Sequence, residues 1–173
     1  IMPALRAGNC VISKPSSLTP LSTLGLVEII ARHVPRGVIN CVTGEQGFGS
    51  AITAHTGIQK IVFTGSTATG QSVMRGAASN PKRLTLELGG NDAAIVLPGM
   101  PVEAVAEEIF QAAFLNMGQT CAALKRLYIH ESQYQAFADA LTQIAARQVV
   151  GDGLDAGVTF GPVQNLEQLE LVE

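Results

Sequence analysis

The chain has 173 residues, enough for one domain or two small ones with a buried core, and hydrophobic residues make up 47% of it. Charged residues are only 14%, against roughly 25% in ordinary soluble domains, which excludes disorder and indicates that much of the surface meets another surface. The net charge is −3, and no run of basic residues is present that could bind nucleic acid. No apolar stretch reaches the ~18 residues of a membrane span. We therefore expect a cytoplasmic protein that binds neither nucleic acid nor a membrane.

Short β-branched runs alternate with segments of helical period in the first half of the chain, a pattern typical of a parallel sheet covered by helices. Thr19 is expected to cap the first helix, with Pro20 at its first position. Strand, helix, strand, helix, strand then follow one another as in half of an open, Rossmann-like nucleotide-binding sheet. The predicted strands are 10–13, 38–42 and 60–64, and the predicted helices run from 21 to about 35 and from 49 to 55.

Beyond residue 65 the α/β pattern continues with longer helices. Helices are expected over 69–78 and 102–115, and strands over 83–87, 93–97 and 127–130. The last strand leads into an amphipathic helix from 131 to about 149, and glycines on either side of Asp152 indicate a surface turn. The chain opens in an apolar segment with no methionine at position 1 and stops in a helix barely begun, so we expect a piece of a longer protein.

Three cysteines, Cys10, Cys41 and Cys121, form no CxxC pair and no zinc-like spacing with histidine. We therefore expect neither a disulfide framework nor a metal site. Cys10 and Cys41 lie in β-branched runs and are expected to be small buried residues, the usual environment of a free cysteine.

Two segments at strand ends have features of a nucleotide site. Residues from Gly65 to Gly70 follow a strand and open a helix, where free N–H groups and the helix dipole favour a phosphate. The alternative is a Gly-Ser-Thr turn that only caps the helix. Lys14 follows the first strand, where ligands of doubly wound sheets gather, although a solvated lysine at a strand end has the same position.

Two residues have the chemistry of an enzyme site. Glu87 ends a strand before two glycines, where its carboxylate can act as a general base or can instead bond the N–H groups of the glycine loop. Cys121 lies on a segment of small residues that a substrate can reach, and the alternative is an inert buried thiol. The histidines, His33, His55 and His130, share no motif with it and are expected at helix ends or on the surface.

Four motifs, in this order and at these distances, resemble the aldehyde dehydrogenase superfamily: Lys14-Pro15-Ser16, Phe63-Thr64-Gly65-Ser66-Thr67, Leu86-Glu87-Leu88-Gly89-Gly90 and Gly118-Gln119-Thr120-Cys121. The resemblance covers essentially all 173 residues and implies the middle of such an enzyme. Residues 1–88 would be most of the dinucleotide-binding domain, and residues 89–173 the start of an α/β catalytic domain.

The resemblance implies that Cys121 is the nucleophile and Glu87 the general base in the oxidation of an aldehyde to a carboxylic acid. It also implies NAD or NADP as the cofactor and, for the full-length enzyme, a homodimer or homotetramer. Lys14 matches the residue on the adenosine ribose. The other cofactor-binding residues that it implies are Ser66 on the pyrophosphate, Gly49 at the adenine, and Ser17, Gly65, Gly70 and Leu88 around these motifs.

Two departures from the family pattern bear on function. The family often has a glutamate at the position of Ser17, which repels a 2′-phosphate, so a serine there favours acceptance of NADP beside NAD. The family's asparagine oxyanion donor would lie before residue 1, and the glutamate and phenylalanine that hold the nicotinamide would lie after residue 173. The alternatives are therefore a catalytically incomplete nucleotide-binding fragment, or a CoA-acylating relative, against which Glu87 argues.

Overall fold

The computed structural model describes the backbone of residues 1–173 and every side chain apart from that of Gln46. The chain folds into two compact units. The first unit comprises residues 1–63 and 68–86, and the second comprises residues 64–67 and 87–173. The second unit therefore contains the four-residue segment 64–67 in addition to the C-terminal half of the chain.

The first unit alternates short strands with helices, as the β-branched runs predict. Its apolar residues pack α2 against β2, where Val27 is 7% exposed and Ile39 is 5% exposed. The elements are α1 (Met2–Arg6), β1 (Val11–Ser13), α2 (Leu21–Ala31), β2 (Ile39–Cys41), α3 (Gln46–Ala54), β3 (Lys60–Thr64), α4 (Thr67–Ala78) and β4 (Arg83–Glu87).

Parallel pairing sets the arrangement of these strands. β1 lies parallel to β2, with Val11 opposite Ile39. β3 pairs with β4, and the ends of the two strands are aligned. At their first residues the Arg83 N–H donates to the Gln59 carbonyl, and after their last residues the Gly65 N–H donates to the Glu87 carbonyl. Among the described residues the strands thus form two-stranded sheets in an α/β fold, and β2 is not hydrogen-bonded to β3.

The second unit is built on one parallel strand pair and two long helices. Its helices α5 and α6 cover the sheet and bury Phe110 and Phe137, which are 3% and 0% exposed. Burying a phenylalanine stabilises a fold by about 1.5–3 kcal/mol, so these two rings anchor the layer. The elements are β5 (Asp92–Val96), α5 (Val102–Phe114), β6 (Leu124–Ile129), a 3-10 turn (Glu131–Gln133), α6 (Tyr134–Ala146) and α7 (Leu166–Val172).

The β5–β6 ladder contains a bulge. Asp92 lies opposite Leu124, but Ala93 lies opposite Arg126, so β6 has one residue more than β5 at this point. Lys125 is that extra residue. A bulge turns a side chain away from the alternation of the strand, and bulges are frequent beside active sites.

The predicted strands over 60–64 and 83–87 are confirmed to the residue, whereas several other boundaries differ. The prediction of Thr19 as a helix cap was wrong, because Pro20 is the N-cap and no side chain bonds the first turn. The helix expected from 131 begins as a 3-10 turn, because Nδ1 of His130 accepts the Ser132 N–H at 3.3 Å. The short helix α1 was not predicted.

The prediction that Cys10 is buried was also wrong. Cys10 precedes β1 and is exposed, while Cys41 in β2 is half-buried. β1 begins only at Val11 because its ladder starts where the Val11 N–H donates to the Val38 carbonyl, at 2.9 Å. Cys10 therefore stands outside the sheet that would have covered it.

Across the described residues, none of the helices has the length and apolar character needed to cross a bilayer. The same residues contain no group of three or more His, Cys, Asp or Glu side chains placed to hold a metal ion.

Candidate active site

Lys14 and Ser17 lie in the loop that leaves the carboxyl end of β1, in the first unit. The Val42 N–H donates to the Ser13 carbonyl at 2.9 Å, so the loops after β1 and β2 leave the same sheet edge side by side. Lys14 is exposed, and among the described residues its ammonium donates only to the neighbouring Pro15 carbonyl, at 3.3 Å. Ser17 is exposed as well. Both side chains are thus available to a ligand at this edge.

Gly49 and Gly70 lie inside helices of the first unit. A Cβ added to Gly49 in α3 would meet no atom within 4 Å, so there is open space beside this backbone. Gly70 is buried in the first half of α4. Gly49 is therefore placed to admit a ligand, whereas Gly70 is placed to let α4 pack closely.

Gly65 and Ser66 link β3 to α4 and belong to the second unit. Both are exposed. The Gly65 N–H donates to the Glu87 carbonyl at 3.1 Å, which joins the carboxyl ends of β3 and β4. The structure thus brings Gly65 and Glu87 together at adjacent strand ends, with the half-buried Leu88 next in the chain.

The loop after Glu87 runs against the backbone of Cys121. Glu87 itself is exposed at the end of β4. A Cβ added to Gly90 would lie 2.5 Å from the Cys121 carbonyl oxygen and 2.6 Å from Oδ2 of Asp92. Only glycine fits there, because both distances are well below a normal contact. The chain reaches this arrangement because the loop leads into β5 and the Cys121 segment leads into β6, which are parallel neighbours.

Cys121 occupies the centre of a β-turn. The Ala123 N–H donates to the Thr120 carbonyl at 3.1 Å, which places Cys121 and Ala122 at the two central positions. Ala123 is 1% exposed and anchors the turn, while Cys121 is exposed. Within the described residues the Cys121 N–H donates to no acceptor. The turn therefore presents both a thiol and a free N–H.

Left-handed backbone precedes this turn. Asn116, Met117 and Gly118 have φ values of 53°, 58° and 71°. Such a conformation costs an L-residue roughly 1–2 kcal/mol, and residues of this kind cluster at functional sites. The chain thus reverses sharply between the end of α5 and Cys121.

A cleft adjoins this reversal. It encloses about 290 Å³ and has mixed walls, in which aromatic and aliphatic side chains stand beside amides and a hydroxyl. Its lining residues include Gln111, Phe114, Leu115, Asn116, Met117 and Phe160.

Sequence reasoning missed Lys125 and Gly90. The Lys125 ammonium donates to the carbonyls of Thr120, Cys121 and Ala123, at 2.8, 3.2 and 2.9 Å. No local pattern signals this contact, because it depends on the bulge in β6. For Gly90, the double glycine after Glu87 was the available signal, and its meaning required the parallel pairing of β5 and β6.

The family model described as aldehyde dehydrogenase matches residues 1–173. The chain is 51% identical over 149 residues to a probable aldehyde dehydrogenase of a Pseudomonas species, covering 86% of this chain and 30% of that protein. It is 41% identical over 173 residues to the NADP+ succinate-semialdehyde dehydrogenase of Escherichia coli, covering 99% of this chain and 36% of that protein.

A solved structure is similar throughout the chain. A mutant of aldehyde dehydrogenase C from Pseudomonas syringae, in complex with NAD+ and octanal, superposes with a TM-score of 0.92 at 35% identity. The alignment covers 97% of this chain and 35% of that one. The chain thus spans about a third of the length of the relatives it matches.

The parallel strand pairs and their covering helices place the chain in the class of α/β proteins with Rossmann-like parallel strands. Within that class, the chain belongs to the aldehyde dehydrogenase family, whose members use NAD or NADP.

Proposed function

We propose that the full-length protein oxidises an aldehyde to a carboxylic acid with NAD or NADP, using Cys121 as nucleophile and Glu87 as general base. The observation that carries the proposal is the exposed Cys121 at the centre of a turn packed against Gly90 of the Glu87 loop. The relatives named as aldehyde dehydrogenases support the reaction type.

The chemistry follows from the groups of the second unit. The Cys121 thiolate attacks the aldehyde carbon, and the C=O bond becomes a C–O⁻ bond that accepts a hydrogen bond from the free Cys121 N–H. Bound NAD or NADP would supply the acceptor for the hydride that leaves this carbon. Glu87 removes a proton from the water that attacks the resulting thioester, and the C–S bond breaks to release the acid and the thiolate.

Residues 1–88 are proposed to hold the cofactor, and residues 89–173 to start the catalytic domain. The first unit fits the cofactor, because Lys14 has an exposed ammonium at a strand end and Gly49 borders open space. Lys14 and Ser17 would contact the adenosine ribose, and Gly49 would line the adenine. Gly65, Ser66 and Leu88 would lie along the pyrophosphate and nicotinamide side, and the buried Gly70 would support that side by letting α4 pack closely.

The cellular setting belongs to the same proposal. All three cysteines are free, which suits the reducing cytoplasm. Large apolar side chains are exposed on this chain, including Leu21, Val62 and Ile95, which supports a homodimer or homotetramer at full length.

The test is Cys121→Ala in the full-length protein. We expect no NADH or NADPH formation with an aldehyde, while titration calorimetry shows cofactor binding within about 2-fold of wild type, because the thiol acts only on the aldehyde. Cys10→Ala is the matched control, since Cys10 is exposed but lies outside the turn, and it should keep full activity. Normal turnover by Cys121→Ala would disprove the assignment of the nucleophile.

A further inference from the structure

We propose that Lys125 is a positioning residue, which orients the Cys121 peptide so that its N–H faces the oxyanion of the bound aldehyde. The inference rests on the proposed function. It assigns a role to a side chain that neither transfers a proton nor touches the substrate.

The first support is the use of all three donors of one ammonium. Lys125 Nζ donates to Thr120 O at 2.8 Å, to Ala123 O at 2.9 Å and to Cys121 O at 3.2 Å. A lysine ammonium has three N–H groups, so its bonding capacity is filled by the backbone of this single turn. Charge-assisted hydrogen bonds of this kind are stronger than neutral ones.

The second support is peptide geometry. The C=O and N–H of a planar trans peptide point in opposite directions. The Thr120 carbonyl points toward Lys125 Nζ and toward the Ala123 N–H, so the Cys121 N–H of the same peptide points away from both. The Cys121 carbonyl is held in turn between Lys125 and the close approach of Gly90. By holding these two carbonyls, Lys125 thus sets the direction in which the free Cys121 N–H points.

The third support is the bulge. Lys125 is the extra residue of β6, between Leu124 opposite Asp92 and Arg126 opposite Ala93. An extra residue is freed from strand alternation and can turn its side chain back over the preceding turn. The next residue serves the other loop, because Arg126 Nε donates to the Asn91 carbonyl at 2.9 Å. Two consecutive cations at the start of β6 therefore hold the backbones of the Cys121 turn and the Glu87 loop.

The experiment compares Lys125→Met with Lys125→Arg in the full-length enzyme. We expect Lys125→Met to slow the pre-steady-state burst of NADH or NADPH by about 10–100-fold at saturating cofactor, which is less than the roughly 10²–10³-fold effect of removing an oxyanion donor, because the N–H remains but loses its orientation. Alkylation of Cys121 by iodoacetamide forms no oxyanion, so its rate should stay within about 3-fold of wild type. Lys125→Arg keeps the charge but replaces the compact ammonium with a planar guanidinium, which cannot bond all three carbonyls, so it should recover the burst rate only in part.

Lys60→Met is the matched control for loss of a lysine charge. Lys60 is exposed at the start of β3, and its ammonium donates no hydrogen bond within the described part of the chain, so the burst rate of Lys60→Met should equal that of wild type. Thermal unfolding of each variant shows whether it is folded. If Lys125→Met is unstable, Lys125→Gln replaces it, since its amide can still bond one carbonyl of the turn.

A burst rate unchanged by loss of the Lys125 ammonium in a folded variant would overturn the inference. Equal decreases in burst and alkylation rates would also overturn it, because Lys125 would then act on the thiol and not on the oxyanion. A wild-type enzyme that oxidises no aldehyde would instead disprove the proposed function, so the two failures are distinguishable.

Discussion

At the scale of single residues, the chemistry of the candidate site depends on exposed groups at the ends of elements. Glu87 ends β4, Lys14 follows β1, and Cys121 occupies a turn before β6. Position at strand ends of a parallel sheet singled these residues out as candidates, and the resemblance of their motifs to a family supplied the roles that stay predictions. It could not show what holds them, because a backbone carbonyl bonded by a distant cation leaves no trace in the local sequence.

Glu87→Gln separates the two chemical steps. An amide cannot accept the proton of the attacking water, so we expect the first burst of reduced cofactor to remain and steady turnover to fall by about 10²–10⁴-fold. Rapid mixing followed by steady-state assay measures both. Glu131→Gln, an exposed carboxylate of the same unit, is the control. If Glu87→Gln changed neither phase, Glu87 would be a structural residue that only bonds the loop.

Ser17→Glu tests the choice of cofactor. Ser17 is exposed and makes no hydrogen bond among the described residues, so a carboxylate there would face the ribose without breaking a contact. Repulsion of a 2′-phosphate should raise the ratio of kcat/KM for NAD over NADP by about 10–100-fold. Thr19→Glu, an exposed residue of the same loop, should leave the ratio unchanged. An equal ratio in Ser17→Glu and wild type would contradict the role of Ser17.

At the scale of elements, the hydrophobic pattern predicted the bounds of a strand correctly where glycine or proline in the sequence marked the end of that strand, as for β3 and β4. It failed where tertiary contacts set the boundary. β6 was predicted to start at 127 but begins at Leu124, because pairing with β5 extends it through two polar residues. The bulge at Lys125 could not be predicted either, since register is a property of two strands.

The glycine pair after Glu87 gives a prediction for this element. Gly90→Ala would push its Cβ against the Cys121 carbonyl, so we expect a loss of about 1–3 kcal/mol in the free energy of unfolding and a changed rate of Cys121 alkylation. Gly89→Ala is the matched control, because its Cβ would meet nothing within 4 Å, and it should change stability by less than about 0.5 kcal/mol. Denaturant titration and alkylation assays measure the two effects. Equal behaviour of the two variants would contradict the close packing of the two loops.

At the scale of the whole molecule, the low share of charged residues has a structural counterpart. Apolar residues are spread around α2 and not gathered on one face, and Val27 is its only buried residue among those described. Leu21 is 80% exposed and Ile29 is 58% exposed. A helix that is apolar on every side is typical of a protein interior. We therefore still expect the exposed side of α2 to pack against another protein surface.

This surface leads to a prediction for the 173-residue chain by itself. We expect it to bind a hydrophobic dye such as ANS and to self-associate in sedimentation experiments, because its exposed apolar area favours contact. Leu21→Lys together with Ile29→Lys should reduce both signals. Gln135→Lys, an exposed polar position on α6, should not. A monomeric chain that binds no dye would show that these side chains are tolerated in water.

The bulge at Lys125 places two demands of selection in conflict at one position. An unpaired residue interrupts the ladder between β5 and β6, so removal of Lys125 would give a more regular sheet. The same deletion would remove the three hydrogen bonds that the Lys125 ammonium donates to the carbonyls of Thr120, Cys121 and Ala123, so a regular ladder and a fixed Cys121 turn exclude each other at this position. A search for heat-resistant variants should therefore keep Lys125, because a more regular sheet at this point would come with loss of the contacts that hold the Cys121 turn.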